Sequence, residues 1–342
     1  TDKEYTGYWA KVDSRHLDLA LDWVSDIFLN SKIEEKEIIK EKGVILEEMN
    51  LYLDTPTAYI SDLWEKLLYG NQPAGWLIIG NKKNILSFKR KDFLSYLNSH
   101  YSARNTIVCV AGDINQKITE EKVRRFFKKI KNNINKPKLD VREKQEKPPS
   151  LIHFKKTDQT HLFLGVRGYD IFHPQRFAQL ILATVLGGFM SSRLFISIRE
   201  RRGLAYYVRT TSSHSTDTGY LVTSAGVDHL NVSKVINLIL KEYKNLKNKK
   251  ISKLELQKAK DNLKGSLNLS LESSDSQASF YAGQELLEGK ILTPEEQISK
   301  IDKVSAKDIQ NVAREIFRPE KLNLALIGPF KNKEKFNKLL KI

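Results

Sequence analysis

Two acidic side chains stand at a spacing that could serve metal chemistry. Glu41 and Glu48 lie seven residues apart in the segment EKGVILEEMN. Seven residues are two helical turns, so both carboxylates fall on one face of a helix. One carboxylate could ligate a metal ion while the other orients or polarises the site. An ordinary charged face is the alternative, because the same segment carries further acids: Glu34, Glu35, Glu37 and Glu47.

Arg199 and Tyr206 form a second pair with the same spacing, in the segment LGGFMSSRLFISIRERRGLAYYV. Gly203 breaks the predicted helix between them, and the glycine turn Gly187-Gly188 precedes it. A guanidinium and a phenol can together donate hydrogen bonds to a carbonyl oxygen that gains negative charge. The alternative is a surface arginine and a strand tyrosine that packs on its sheet.

The seven histidines offer no helical metal pair, because no two of them are four residues apart. His153 and His161 are predicted to lie on neighbouring strands, where surface or hairpin positions are the more ordinary interpretation than a two-histidine site. The sequence contains no GxSxG nucleophile motif and no phosphate-binding loop.

Periodicity predicts the elements that must position these residues. Strands are predicted over 7–12, 106–111, 151–154, 161–166, 205–211 and 218–225. Helices are predicted over 17–29, 33–53, 58–68, 91–101, 119–130, 174–186, 192–199, 232–246 and 253–271. Thr293-Pro294-Glu295-Glu296 is a further helix start, with a hydroxyl N-cap, proline at the first position and acids in the first turn.

An internal repeat relates the two halves of the chain. The stretch from Lys91 to Gly112 aligns without a gap with the stretch from Lys307 to Gly328. Lys32-Ile33 and Lys250-Ile251 each open a helix about 60 residues before those stretches. When the offset between Lys32 and Lys250 is carried forward, Ala259 and Ser266 stand where the first copy has Glu41 and Glu48. The acid pair therefore belongs to one copy only, as expected of a site grafted on one of two similar domains.

The repeat predicts an α+β fold with two similar domains. Each is expected to be a mostly antiparallel β-sheet with helices packed on one face. The first spans 1–135 and the second 151–342, joined by the charged, proline-containing linker 136–150. The first copy is short at its front, so we expect it to lack a helix and one or more strands and to leave apolar surface exposed or covered by a neighbour.

Composition excludes several classes of protein. The chain has 342 residues, 40% hydrophobic and 9% aromatic, as in a globular protein of two ordinary domains. No run of eighteen apolar residues could span a membrane. A single cysteine, Cys109, cannot build a thiolate zinc site and is expected as a buried strand thiol. The net charge of +16 is spread along the chain rather than concentrated in an aromatic-lined stripe, so nucleic acid is not an expected partner.

These residues together resemble the insulinase/pitrilysin group of zinc metallopeptidases, particularly bacterial members similar to the mitochondrial processing peptidase. The resemblance covers nearly the whole chain. It rests most specifically on EKGVILEEMN and on the stretch around RRGLAY. Supporting matches are GNQPAGWLIIG, YSARNTIVCVAGDI, TDTGYLVTSAGVD, LQKAKDNLKGSLNLSLES and LNLALIGP.

The resemblance implies a zinc site and a role for each candidate. In this family an HxxEH motif supplies two histidine ligands and a catalytic glutamate. Glu48 matches the third zinc ligand and Glu41 the supporting acid, while Arg199 and Tyr206 match a pair directed at the scissile carbonyl. Gly187 and Gly188 are expected to contact substrate. The motif is expected some tens of residues before Thr1, so this chain alone is expected to be inactive and to bind Zn²⁺ weakly or not at all.

Two functions remain open at this point. One is a zinc metalloendopeptidase that cleaves peptides or unfolded protein segments, with Zn²⁺ as cofactor in the full-length protein. The other is a non-catalytic partner subunit of a processing-peptidase-like heterodimer. A homodimer or a heterodimer with a related subunit is expected in either case, with a cytoplasmic location and no membrane insertion.

Overall fold

The computed structural model describes residues 1–133 and 137–342. Within the predicted linker, Lys136 lies outside the described residues. Residues 137–149 contain neither helix nor strand.

Thirteen α-helices and five strands occur in the described residues, besides short 3₁₀ helices and one π-helix. The helices are α1 (Leu17–Leu29), α2 (Glu35–Asp54), α3 (Pro56–Tyr69), α4 (Lys82–Ser87), α5 (Arg90–His100), α6 (Gln116–Phe127), α7 (Arg176–Gly187), α8 (Val232–Asn248), α9 (Lys253–Ser270), α10 (Ser274–Glu288), α11 (Pro294–Lys303), α12 (Ala306–Ile316) and α13 (Glu334–Asn337). The strands are β1 (Ser150–Phe154), β2 (Thr160–Arg167), β3 (Ala205–His214), β4 (Gly219–Val227) and β5 (Leu322–Gly328).

The strands form one sheet in the order β1-β5-β2-β4-β3. Three of its four pairings are antiparallel, and only β1 with β5 is parallel. The predicted α+β class with a mostly antiparallel sheet is thereby confirmed.

The predicted strands over 7–12 and 106–111 are wrong, because neither segment is assigned as a strand. The repeat shows the physical reason. In the first copy a helix starts at 90, a 3₁₀ turn at 103 and the next segment at 106. In the second copy the same three elements start at 306, 319 and 322, a constant offset of 216. Residues 322–328 find β1 and β2 as hydrogen-bonding partners. The equivalent segment has no ladder partner among the described residues, and an extended backbone without one is not a β-strand.

The sheet buries both of its faces. Leu324 and Leu326 of β5 belong to the larger core, which includes residues of α7, α8 and α12. Ala325 and Ile327 point the other way and belong to a smaller core with Ile60 and Trp64 of α3. Because side chains alternate along a strand, α3 covers the face opposite to α7, α8 and α12. The four residues of β5 named here are fully buried.

Two compact units make up the described chain. One comprises residues Thr1–Asn50, Leu77–Leu139 and Leu267–Leu292, and is helical with extended connections. The other comprises Leu51–Trp76, Asp140–Ser266 and Thr293–Ile342, and contains the whole sheet.

Trp64 tests the smaller core. It is fully buried and its ring meets Phe163 and Tyr220 edge-on, with centroids 6.3 and 5.8 Å away. We expect Trp64→Ala to lower the free energy of unfolding by about 3–5 kcal/mol, because the large cavity cannot collapse fully against the sheet. Urea unfolding measures the loss. Leu230→Ala, at a side chain that is 93% exposed, is the control and should change stability by less than about 0.5 kcal/mol.

Candidate active site

The segment that carries Arg199 is a π-helix, Phe195–Glu200, which overlaps the predicted helix 192–199. The N–H of Arg201 donates to the carbonyl oxygen of Ile196, five residues back, at 3.0 Å. Leu194 and Ile198 are fully buried and fix one side of the turn in the core, while Arg199 is exposed. Single π-turns inside helices are rare and are frequent at functional sites.

Gly203 ends this helix in the left-handed conformation, with φ of 59°. Its N–H donates to the carbonyl of Arg199, and the N–H of Leu204 donates to Ile198, six residues back. This arrangement resembles a glycine C-cap that is one residue wider than usual, because the π-turn holds one extra residue. The helix break predicted at Gly203 is therefore present.

Tyr206 stands at a β-bulge. Ala205 pairs with Val227 and Tyr207 pairs with Gly226, so Tyr206 is the extra residue between two adjacent partners of β4. A bulge re-aims the side chain of the residue it inserts. The Tyr206 side chain is 74% exposed, whereas its neighbour Ala205 is buried.

The structure brings Arg199 and Tyr206 together, with a third residue that the sequence analysis missed. The Arg199 guanidinium carbon lies 5.6 Å from the ring centroid of Tyr206 and 5.0 Å from that of Phe195. Each contact is within cation–π range and contributes about 0.5–1 kcal/mol at an exposed site. Phe195 precedes Arg199 by four residues, and that spacing on a predicted helix was the available signal for it.

Gly187 and Gly188 lie where α7 ends, and both are required by close packing. A Cβ on Gly187 would come within 2.5 Å of the Thr210 backbone nitrogen on β3. A Cβ on Gly188 would come within 2.7 Å of the Thr184 Cα. Neither glycine has a positive φ. Gly187 lets α7 approach β3, whereas Gly188 packs against Thr184 of α7 itself.

Tyr207, the residue after Tyr206, is held in a different environment. Its hydroxyl is 3.0 Å from Nδ1 of His161 on β2, and the two rings are stacked. Burial raises the pKa of Tyr207 to about 12 and lowers the pKa of His161. Tyr207 is therefore a partly buried neutral phenol, while Tyr206 projects into solvent.

Glu41 and Glu48 both lie on α2, two turns apart, with exposed side chains. The corresponding helix of the repeat is α9, which starts 218 positions later (253 against 35). At that offset Ala259 replaces Glu41 and is fully buried in the larger core. The helical placement predicted for the two acids is thus present.

The residues present do not by themselves fit a zinc site. No group of three or more histidine, cysteine, aspartate or glutamate side chains in the described part of the chain could hold a metal ion. The sequence of 342 residues contains no HxxEH. His153 and His161 are not on neighbouring strands as predicted, because β5 lies between β1 and β2 and both histidines pair with Ile327. Two strand spacings, about 10 Å, separate them, too far for a shared ion.

Cys109 does not supply an alternative nucleophile. Contrary to the prediction of a buried strand thiol, it is half-buried and lies outside any strand. Burial raises the pKa of its thiol, and reactive cysteines need the opposite shift.

Comparison with known families places this site in context. Residues 1–81 match the family described as Insulinase (Peptidase family M16). Residues 87–263 match the family described as Peptidase M16 inactive domain. The chain belongs to peptidase family M16. The resemblance drawn from the sequence is thereby confirmed.

Two relatives that match nearly the whole chain are named as uncharacterized zinc proteases. One from Bacillus subtilis, YmxG, is 35% identical over 337 residues, which cover 97% of this chain and 80% of the relative. Another, from Rickettsia felis, is 34% identical over 333 residues, which cover 96% of this chain and 79% of the relative.

Solved structures of low sequence identity share the fold. A protease from Helicobacter pylori superposes with a TM-score of 0.86 at 22% identity and covers 93% of this chain and 78% of its own. A chain of complex III₂ from Candida albicans gives 0.87 at 16% identity, with 97% and 82% covered. A peptidase M16 inactive domain from Pseudomonas fluorescens gives 0.84 at 18% identity, with 91% and 74% covered.

A search of the described residues for membrane-crossing helices found none with the necessary length and apolar character.

Gly203 tests the conformational requirement of the site. We expect Gly203→Ala to destabilise the chain by about 1–2 kcal/mol, because an alanine at φ of 59° crowds its own backbone although its Cβ would meet no atom within 4 Å. Gly265→Ala is the matched control: its Cβ is equally unobstructed, but it lies inside α9 without a positive φ. That substitution should stabilise by about 0.5–1 kcal/mol. Equal signs for the two changes in thermal unfolding would contradict the requirement.

Proposed function

We propose that the protein acts in peptide-bond hydrolysis as part of a zinc metalloendopeptidase, and that Arg199 and Tyr206 stabilise the oxyanion of the scissile carbonyl. The observation that supports this most is the exposed pair itself. A π-turn and a β-bulge, two backbone irregularities common at functional sites, deliver a guanidinium and a phenol to the same place.

The chemistry follows from the donors that these side chains carry. Arginine keeps its charge and presents several N–H groups in a fixed fork, and the phenol supplies one O–H. When a nucleophile adds to a peptide carbonyl, negative charge collects on the oxygen. Donors that are already oriented stabilise this charge more than that of the uncharged carbonyl, which lowers the barrier. The cation–π contact with Phe195 restrains the guanidinium of Arg199 and occupies none of its hydrogen-bond donors.

For α2 we propose the roles that the family resemblance implies. Glu48 is the carboxylate that this chain contributes to zinc, and Glu41 supports the site from the same helix face. The remaining ligands, two histidines of an HxxEH motif, are not among these 342 residues. The zinc-protease names of the relatives support the metal as a family property.

The proposed substrates are peptides or unfolded protein segments, which reach the exposed pair near Gly187 and Gly188. We retain the division into an N-terminal domain over 1–135, a linker over 136–150 and a C-terminal domain over 151–342. The equal offset of 216 between α5 and α12 and between their following 3₁₀ turns supports a duplicated origin. A homodimer or a heterodimer with a related subunit is the proposed assembly, and sedimentation velocity at micromolar concentration tests it.

A second candidate is a non-catalytic partner subunit of a processing-peptidase-like heterodimer. The match of residues 87–263 to an inactive domain favours it. This function would still use Arg199 and Tyr206, but it would leave Glu41 and Glu48 without a task. The two functions therefore differ in what the acids do.

Tyr206→Phe tests the oxyanion role. In a peptide-cleaving preparation that also contains an HxxEH-bearing segment, we expect kcat to fall by about 10²–10³, the usual cost of one oxyanion donor. Tyr207→Phe removes a hydroxyl from the next residue and should leave kcat near the parent value, because that hydroxyl faces His161. If Tyr206→Phe and Arg199→Ala both cleaved peptides at the parent rate, the assigned role would be wrong.

Glu48→Gln tests the metal role and separates the two candidate functions. In the same preparation we expect bound zinc, measured by elemental analysis, to be lost together with activity. Glu47→Gln is the matched control, since it removes an equally exposed charge from the adjacent position of α2. Glu41→Gln should weaken metal affinity by about 10–100-fold, as expected of a supporting group. Unchanged zinc content in Glu48→Gln would favour the non-catalytic subunit.

The chain of 342 residues by itself should show no chelator-sensitive peptidase activity, with or without added zinc, because its described residues offer no complete ligand set. A fluorogenic peptide assay with and without a chelator checks this expectation. Cleavage that the chelator abolishes would contradict it.

A further inference from the structure

Arg193 lies just before the π-helix and makes the strongest polar contacts of that segment. Its Nε and Nη2 donate to the two carboxylate oxygens of Glu255 on α9, at 2.6 and 2.8 Å. Its Nη1 lies 3.5 Å from a carboxylate oxygen of Glu242 on α8. One guanidinium thus joins two helices to the start of the segment that carries Arg199.

The three side chains are largely shielded from water. Their exposed fractions are 23% for Arg193, 27% for Glu255 and 19% for Glu242. The hydrogen bonds that Arg193 donates to Glu255 raise the pKa of its guanidinium. A bidentate, charge-assisted pair in a shielded position fixes orientation as well as distance.

The neighbours of Arg193 transmit this anchoring to the candidate site. Ser192 and Leu194, on either side of it, are buried. Phe195 follows directly, and its ring supports the guanidinium of Arg199. The π-turn that contains Phe195 and Arg199 is closed by backbone hydrogen bonds that span five residues, such as that from the N–H of Arg201 to the carbonyl of Ile196. Such a turn needs support from tertiary contacts, because the π-helix is rare as a free-standing conformation.

We propose that Arg193, through its bidentate contact with Glu255, is a positioning residue that holds the π-helix Phe195–Glu200 and with it the Arg199 guanidinium. The consequence for catalysis rests on the proposed function of Arg199, whereas the effect on the π-helix does not. Its side-chain hydrogen bonds go to Glu255 and Glu242, so Arg193 would act on Arg199 through the backbone and Phe195.

Hydrogen exchange of the chain of 342 residues tests the effect on the π-helix. The amides to follow are those of Ile196, Arg201, Gly203 and Leu204, which close the turn and its cap. In Glu255→Gln we expect their protection to fall by about tenfold, the effect of losing one charge-assisted contact on a local opening. Arg193→Lys keeps the charge but loses the fork and should give an intermediate loss.

Asp261→Asn is the matched control. Asp261 is an acid on the same helix, pairs with Lys264 at 3.5 Å and has a more exposed side chain. Its replacement removes one negative charge and one ion pair from α9 without touching residues 192–204. We expect protection at Ile196, Arg201, Gly203 and Leu204 to stay at the parent level.

Kinetics of a peptide-cleaving preparation form the second arm. Glu255→Gln should lower kcat by about tenfold with little change in KM, because the loss concerns donors that act on the developing oxyanion rather than on bound peptide. Arg193→Lys should retain part of the parent kcat, and Asp261→Asn should retain all of it. A structural role alone would lower the yield of folded protein without this split between kcat and KM.

Two results would overturn the proposal: protection at the four amides equal to the parent in Glu255→Gln, or the same loss of protection in Asp261→Asn. A local loss of protection specific to Glu255→Gln supports it even if Arg199→Ala cleaves peptides at the parent rate. In that case the positioning of the π-helix stands and the oxyanion function of Arg199 fails, so the two failures are distinguishable.

Discussion

One constraint governs the candidate site: the backbone between Phe195 and Tyr207 follows neither regular α-helical nor regular β-strand hydrogen bonding. It contains a helix with i to i−5 bonding, a glycine at φ of 59° and a strand with one extra residue. Each irregularity shifts the side chains that follow it relative to a regular helix or strand. Together they place a guanidinium and a phenol in contact, although both side chains are exposed and their neighbours Ile198 and Ala205 are buried. In a regular strand Tyr206 would share the face of Val208, which is buried.

Such a segment is tolerable because rigid elements surround it. Leu194 and Ile198 are embedded in the core that also holds α7, α8 and the sheet. Gly187 allows α7 to lie against Thr210 of the strand that carries the bulge. Inside that core the hydroxyl of Tyr243 on α8 is satisfied by Thr223 and by the carbonyl of Leu164, at 2.8 and 3.0 Å. The irregular backbone is therefore supported by core packing rather than by its own conformational preference.

Periodicity in the sequence predicted most helices and all four strands it assigned to residues 150–227, because those elements bury a regular face. It failed over 7–12 and 106–111, since a strand depends on a partner that local pattern does not reveal. Arg199, Tyr206 and the break at Gly203 could be found from residue type and spacing. The π-turn and the bulge could not, because both arise where tertiary packing overrides local preference. Arg193 was missed for a related reason: its partners lie 49 and 62 residues away, and nothing in the sequence links them.

The comparison of α2 with α9 shows how two similar elements can have different uses. Both helices begin at equivalent positions of the repeat. On α9 the position of Glu41 is Ala259, whose small side chain is fully enclosed by the core. A glutamate there would place a charge in an apolar site without a partner, at a cost of several kcal/mol. On α2 the same position is exposed and accepts a carboxylate freely. Burial therefore excludes a carboxylate at the Glu41 position of the second copy, whereas Ser266, the counterpart of Glu48, is exposed.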